Sequence, residues 1–72
     1  MNQNSKSIIA NNVKKFREQR KITREMLSLA LDFENSYISK IENGKINVTI
    51  ERLDKIADYF NIQTFELLIP RN

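Results

Sequence analysis

The stretch TREMLSLALDFENSYISKIENGK, residues 23–45, has the spacing of two short helices separated by a tight break. Thr23 is a good N-cap for the first helix. Asp32 predicts the break, because aspartate can adopt the left-handed conformation, although less readily than glycine. The second helix is predicted over residues 35–42, and Gly44 is expected to end it as a left-handed C-cap.

The predicted second helix has two unlike faces. Ile38 and Ile41 form an apolar stripe that is expected to face the core. The opposite face carries short polar side chains and one cation, and no acid lies among them. Such a face suits base-pair edges and phosphates better than a protein interior. Its members are Asn35, Ser36, Ser39, Lys40 and Asn43.

Helical spacing also fits the sequence on both sides of this stretch, and strand signals are weak. A first helix is predicted over residues 7–20, with Ser5 or Ser7 as its N-cap. Another helix follows the good N-cap Thr49, and Asn61 is its expected left-handed stop. A short helix is predicted over residues 64–69, and Pro70 closes it. The helix after Thr49 has an apolar stripe spaced for burial: Ile50, Leu53, Ile56, Ala57 and Phe60.

The charge of the chain is unevenly distributed. Residues 1–24 contain seven basic residues and one acid, whereas residues 25–72 contain five basic residues and eight acids. The total is +3. A folded chain with one strongly basic region suits a polyanionic partner, and the alternative is a solvated helix face.

Composition excludes several classes of protein. Seventy-two residues with 40% apolar content are enough for one small domain with one core. The chain has no cysteine and no histidine, so we expect no disulfide, no metal site, no cofactor and no histidine-based catalysis. No apolar run is long enough for a bilayer, and the polar N-terminus lacks a signal-peptide pattern, so a cytoplasmic protein without membrane contact is expected.

Three fragments in this order resemble the Cro/phage-repressor type of helix-turn-helix protein, the XRE family. They are SYISKIENGK (36–45), the T-x-E-x-L pattern that starts at Thr23, and TIERLDKIADYF (49–60). The resemblance covers about residues 9–68. It implies an all-α, compact five-helix domain of the lambda-repressor type that binds operator DNA as a dimer and is not an enzyme.

The resemblance also implies roles for individual residues. Three positions depart from the family pattern: Arg24 replaces a usual Gln, Ser28 a usual Ala, and Asp32 the turn Gly. The Ser28 hydroxyl can bond back to a helix carbonyl. The positions that read bases correspond to Asn35, Ser36, Tyr37, Ser39 and Lys40. The positions that contact phosphates correspond to Thr23, Arg24, Asn43, Lys45, Asn47 and Thr49.

Two further predictions concern packing. Arg17 and Glu42 both lie on inward helix faces, where a lone charge would be unfavourable, so they are expected to form an ion pair. The alternative for Arg17 is a direct contact with DNA, which is compatible with the pair. The last helix has too many apolar residues for one face. Some of them must close the core, and the remainder would form a two-fold dimer interface. The residues assigned to that interface are Phe65, Leu68 and Ile69.

These observations predict a flexible arm (1–6), a helix-turn-helix domain (7–69) and a C-terminal tail (70–72). The expected function is sequence-specific binding of double-stranded operator DNA by a homodimer, which would block or recruit RNA polymerase. Within the family, the short length and the segment YISKIENGKINVTIERL resemble restriction–modification controller proteins. Phage repressors and antitoxins share the fold. The alternative is a helical module that binds another protein through exposed apolar groups such as Leu29.

Overall fold

The computed structural model describes residues 4–71 as an all-α chain. The predicted fold class is confirmed. The last predicted helix is a 3-10 helix of five residues, a tighter geometry that proteins use in short pieces. The elements are α1 (Ser5–Gln19), α2 (Arg24–Ala30), α3 (Tyr37–Glu42), α4 (Ile50–Phe60) and the 3-10 helix (Thr64–Leu68).

Two of the three predicted N-caps are confirmed. The hydroxyls of Thr23 and Thr49 accept hydrogen bonds from the third backbone amide of α2 and α4, respectively. The cap of α1 is Asn4 rather than a serine, because the Asn4 backbone is extended and its side chain accepts from Ser7 N at 2.9 Å. Residues 5 and 6, predicted as part of a flexible arm, are therefore helical. Asn4, also in that predicted arm, caps the helix, and residues 1–3 lie outside the described residues.

The helix ends follow the predicted left-handed positions. Asp32 (φ 58°), Gly44 (φ 68°) and Asn61 (φ 59°) all have positive φ. Lys21, just after α1, does so as well (φ 56°). Three of these four turns therefore carry a side chain in a conformation that glycine adopts more readily.

One continuous core joins the elements. α1 packs against α3 and the 3-10 helix, α2 packs against α3, and α4 packs against the 3-10 helix. Ile50, predicted as part of the buried stripe of α4, is instead 72% exposed, since it is the first residue of its helix and precedes the turn that packs. Within the described residues no helix is long and apolar enough to span a membrane. The buried core cluster is Ile9, Val13, Leu27, Ile38, Ile41, Leu53, Ile56, Ala57, Phe60 and Leu67.

Candidate nucleic-acid interface

α3 presents a polar face to solvent and an apolar face to the core. Ile38 and Ile41 are 0% and 2% exposed. Ser36, Ser39 and Lys40 lie three and four residues apart, so they share the opposite side of the helix. Ser36 and Lys40 are exposed and Ser39 is partly exposed. The two-faced helix predicted from the sequence is therefore present, with its polar side accessible.

The start of α3 differs from the prediction. The helix was expected to begin at Asn35, but Asn35 and Ser36 lie in a turn, which the hydrogen bond from Tyr37 N to Glu34 O closes at 2.9 Å. Asparagine and serine favour turns and caps over helix interiors because their side chains compete for backbone hydrogen bonds. Asn35 is exposed in this turn, ahead of the helix face on which it was placed.

The first turn of α3 is bonded by a side chain of α2 instead of by its own N-cap residue. Ser36 makes no side-chain cap. The buried Ser28 of α2 instead places its Oγ 3.3 Å from Ile38 N and accepts a hydrogen bond. The sequence suggested a bond from this hydroxyl to a carbonyl of its own helix. The structure uses the oxygen to join the two helices of the helix-turn-helix.

Among the predicted base-reading residues, Tyr37 is the one whose side chain packs against aromatic and charged neighbours. It is partly buried, and its ring packs edge-on against Phe33 with 5.0 Å between the ring centroids. The guanidinium of Arg52, from α4, lies 4.4 Å from the centre of the same ring. Tyr37 is therefore a packing residue at the edge of the polar face, and its orientation depends on its neighbours.

The predicted phosphate-contacting residues lie at helix ends and in the loop after α3. Thr23 and Thr49 use their oxygens as cap acceptors, which leaves each O–H free to donate to another acceptor. The remaining four are exposed: Arg24, Asn43, Lys45 and Asn47. All six residues thus retain a donor that can point to a ligand.

The predicted ion pair of Arg17 and Glu42 is present and well buried. Arg17 donates from Nε to Glu42 Oε2 at 2.7 Å and from Nη2 to Oε1 at 3.1 Å, while Nη1 donates to Ile22 O at 2.8 Å. Arg17 is 9% exposed, and the Glu42 side chain is 2% exposed. The hydrogen bonds that Arg17 donates to Glu42 raise the pKa of Arg17, against the effect of burial.

A second arginine reaches the same carboxylate. Arg24 Nη1 lies 3.6 Å from Glu42 Oε1, and the Arg24 side chain is 48% exposed. Arg24, one of the departures from the family pattern, links the start of α2 to α3 through this contact. Its exposed donors remain available to a phosphate. Glu42 also turns its negative charge inward, away from the polar face.

A shallow cleft of about 380 Å³ lies between α1 and the start of α2. Arg17 is buried in its ion pair with Glu42, so the exposed cations at this cleft are Lys14 and Arg24, of which Arg24 also contacts Glu42. Lys14 was not singled out in the sequence, since only the fold brings it close to Thr23. The lining residues are Lys14, Arg17, Glu18, Thr23, Arg24 and Glu25.

The C-terminal segment exposes an apolar surface. Phe65 and Leu68 lie three residues apart, so the 3-10 geometry places them on one side. They are 62% and 43% exposed, and Ile69 is 39% exposed. Leu67 is fully buried, so the predicted division between core and surface residues is present. We call Phe65, Leu68 and Ile69 the C-terminal apolar patch.

A buried amide that the sequence did not flag holds this patch in place. Asn12 of α1 is 1% exposed, and its Nδ2 donates to Leu67 O at 2.8 Å and to Ile69 O at 2.9 Å. The two bonds fix the backbone on both sides of Leu68. Asn12 Oδ1 is buried without a hydrogen-bond partner.

Comparisons with known proteins agree with this geometry. A helix-turn-helix family matches residues 13–67. The control protein C.MunI of a Mycoplasma species is 36% identical over 58 residues, which is 79% of this chain and 78% of that protein. The crystal structure of the restriction–modification controller protein C.Esp1396I has a TM-score of 0.79 and 28% identity, covering 93% of this chain and 90% of that one. A hypothetical transcription factor from Neisseria has a TM-score of 0.90 at 24% identity, covering 94% and 78%.

An exposed polar helix, seated on a second helix by its apolar side, defines a DNA-binding protein of the helix-turn-helix class. The chain belongs to the helix-turn-helix family of XRE type, whose members are DNA-binding transcription regulators. The resemblance inferred from three sequence fragments is therefore confirmed.

Proposed function

We propose that this protein binds a palindromic operator as a homodimer, with α3 in the major groove, and that it controls a restriction–modification operon that includes its own gene. The exposed polar face of α3 carries this proposal. Two half-sites about 10 bp apart, centre to centre, suit a two-fold dimer whose recognition helices enter successive major grooves.

The chemistry of this face supports separate roles for its residues. Lys40 can donate to guanine O6 or N7, and Asn35 can bond two atoms of adenine. Ser36 and Ser39 are short and permissive, and Tyr37 stands beside them. Each good base contact would discriminate against the wrong base by about 1–3 kcal/mol. Thr23, Arg24, Asn43, Lys45, Asn47 and Thr49 would contact phosphates and set the register.

Selection from random duplexes tests the function and the role of Lys40 together. We expect the wild type to enrich a two-fold motif, and Lys40→Ala to lose preference at one base position per half-site by roughly 5- to 100-fold. Lys55→Ala is the matched control, because Lys55 is an exposed lysine on α4 rather than on the polar face of α3.

Two results would contradict this proposal. A uniform loss of affinity of Lys40→Ala across all sequences would reassign Lys40 to phosphate binding. The absence of any enriched motif with the wild type would argue against an operator. The affinity of the protein for the selected DNA should also fall steeply as the salt concentration is raised. If the chain were instead a protein-binding module, its affinity for a partner bound by hydrophobic contact would depend only weakly on salt.

The C-terminal apolar patch supports the dimer. Exposed apolar side chains on a backbone that Asn12 bonds at two carbonyls suit an isologous contact between two copies. Phe65→Glu should therefore shift the protein to monomer in sedimentation equilibrium at micromolar concentrations, with loss of operator binding. Ile50→Glu places the same charge on another exposed apolar position and should leave the dimer intact.

The controller role is supported by the similarity to C.MunI and C.Esp1396I, whose names describe a control protein and a restriction–modification controller protein. A restriction endonuclease or DNA methyltransferase gene beside this one, with the selected motif upstream of it, is the expected finding. A toxin gene in that place would favour an antitoxin instead.

A further inference from the structure

Four side chains meet where α4 approaches the turn before α3. Arg52 Nη1 lies 3.2 Å from both carboxylate oxygens of Glu34. The same guanidinium lies 4.8 Å from the ring centre of Phe33 and 4.4 Å from that of Tyr37. The two rings contact each other edge-on. One arginine therefore contacts three of the five residues from Phe33 to Tyr37.

Arg52 makes these contacts near the start of α3, where the helix has no side-chain cap of its own. α3 has six residues. A helix of this length has little stability of its own, so tertiary contacts must set its direction. Two groups from other helices reach its first turn: Ser28 bonds the backbone of Ile38, and Arg52 covers the ring of Tyr37.

The chemistry of Arg52 suits positioning. Its guanidinium lies close to both aromatic rings while Nη1 donates to Glu34, and a planar group with several donors suits this combination better than the compact ammonium of lysine. The hydrogen bonds from Arg52 lower the pKa of the Glu34 carboxyl, so the pair stays ionised at neutral pH. Because the two charges cancel, the pair adds little to the attraction of DNA.

We infer that Arg52 is a positioning residue for base recognition: held by Glu34, it orients Tyr37 and the turn that carries Asn35, and so sets base preference at the N-terminal end of α3. This inference rests on the proposed function, because it requires α3 to read bases. It adds a specificity determinant on α4, outside the helix-turn-helix.

The test compares duplexes selected by the wild type, Arg52→Met and Lys55→Met. Both substitutions remove one positive charge from α4, but Lys55 Nζ lies 6.0 Å from the Phe33 ring centre, whereas the Arg52 guanidinium lies within 4.8 Å of both ring centres. We expect Arg52→Met to change preference roughly tenfold at the base position facing the start of α3, with an unchanged salt slope. Lys55→Met should keep the wild-type motif.

Arg52→Lys and Glu34→Gln keep the test decisive if Arg52→Met fails to fold. Both should change preference at that same position by a smaller factor, about threefold, with the melting temperature near that of the wild type. An unchanged motif for every Arg52 and Glu34 variant that folds would overturn the inference. So would a uniform loss of affinity with a salt slope reduced by about one, since that is the signature of a phosphate contact.

The motif selected by the wild-type protein distinguishes a failure of this inference from a failure of the proposed function. If the wild type enriches no two-fold motif, the proposed function fails, and the inference fails with it. If the wild type enriches such a motif and every Arg52 and Glu34 variant that folds enriches the identical one, only the inference fails.

Discussion

α3 and the C-terminal 3-10 helix are the two shortest helices of the described chain, and their exposed surfaces differ in polarity. α3 and the residues beside it expose hydroxyls, amides and a lysine, whereas the 3-10 helix exposes Phe65 and Leu68. Both depend on α1, which contributes one buried polar side chain to each: Arg17 bonds Glu42 at the end of α3, and Asn12 bonds the carbonyls around Leu68. Elements too short to be stable alone are thus fixed by buried hydrogen bonds from one long helix.

The two short helices are also fixed to α1 by different kinds of bond, one charged and one neutral. The link to α3 is an ion pair, and the link to the 3-10 helix is a neutral amide. Removing one partner of a buried ion pair leaves an uncompensated charge, whereas removing an amide leaves two unbonded carbonyls. The two helices should therefore respond very differently to loss of their α1 contact.

The largest effect is expected for Glu42→Ala. This substitution leaves Arg17 buried without its carboxylate and should lower the free energy of unfolding by about 3–5 kcal/mol in a urea or thermal melt. Asp58→Ala removes an exposed acid from α4 and should change stability by less than about 0.5 kcal/mol. Equal stability of the two variants would mean that the ion pair does not hold α3.

A smaller effect is expected for Asn12→Ala. It removes both donors to Leu67 O and Ile69 O and should lower the free energy of unfolding by about 1–3 kcal/mol. Dimerisation should weaken as well, because the C-terminal apolar patch loses its support. Asn11→Ala, at an exposed position on the same helix, serves as the control. A variant as stable as the wild type, with unchanged sedimentation, would contradict the role of Asn12.

The smallest effect concerns the exposed pair at the start of α3. Because Arg52 lowers the folded-state pKa of Glu34, the pair stabilises the fold above the unfolded pKa, near 4.5, and this contribution is lost as pH falls through the lower folded value. An NMR titration of the Glu34 carboxyl should show the lowered pKa in the wild type and in Lys55→Met. In Arg52→Met it should return toward its ordinary value, and an unchanged titration would exclude the contact.

Local signals account for what the sequence predicted correctly. Threonine caps at 23 and 49, the left-handed positions 32, 44 and 61, and the two faces of α3 each depend on residues a few positions apart. The pair of Arg17 and Glu42 was also predictable, although 25 residues separate them. A charge on an inward face requires a partner, and the chain offers few of them.

Long-range neutral contacts had no comparable signal. Asn12 and Ile69 are 57 positions apart, and an amide on a helix gives no indication of whether it is buried. The role of Arg52 depends on the angle between α4 and α3, which no spacing rule gives. Errors at the starts of α1 and α3 arose where several capping residues stand in succession, Asn4, Ser5 and Ser7 in one case and Asn35 and Ser36 in the other.

Gly44, the chain's one glycine, occupies the left-handed turn just after α3. A methyl group built on this residue would meet no atom within 4 Å, so packing within the protein does not require its absence. Lys21, Asp32 and Asn61 keep side chains in similar backbone conformations. Gly44 differs from these three residues because it has no side chain. A duplex that lies along α3 can therefore approach the main-chain atoms of this turn directly.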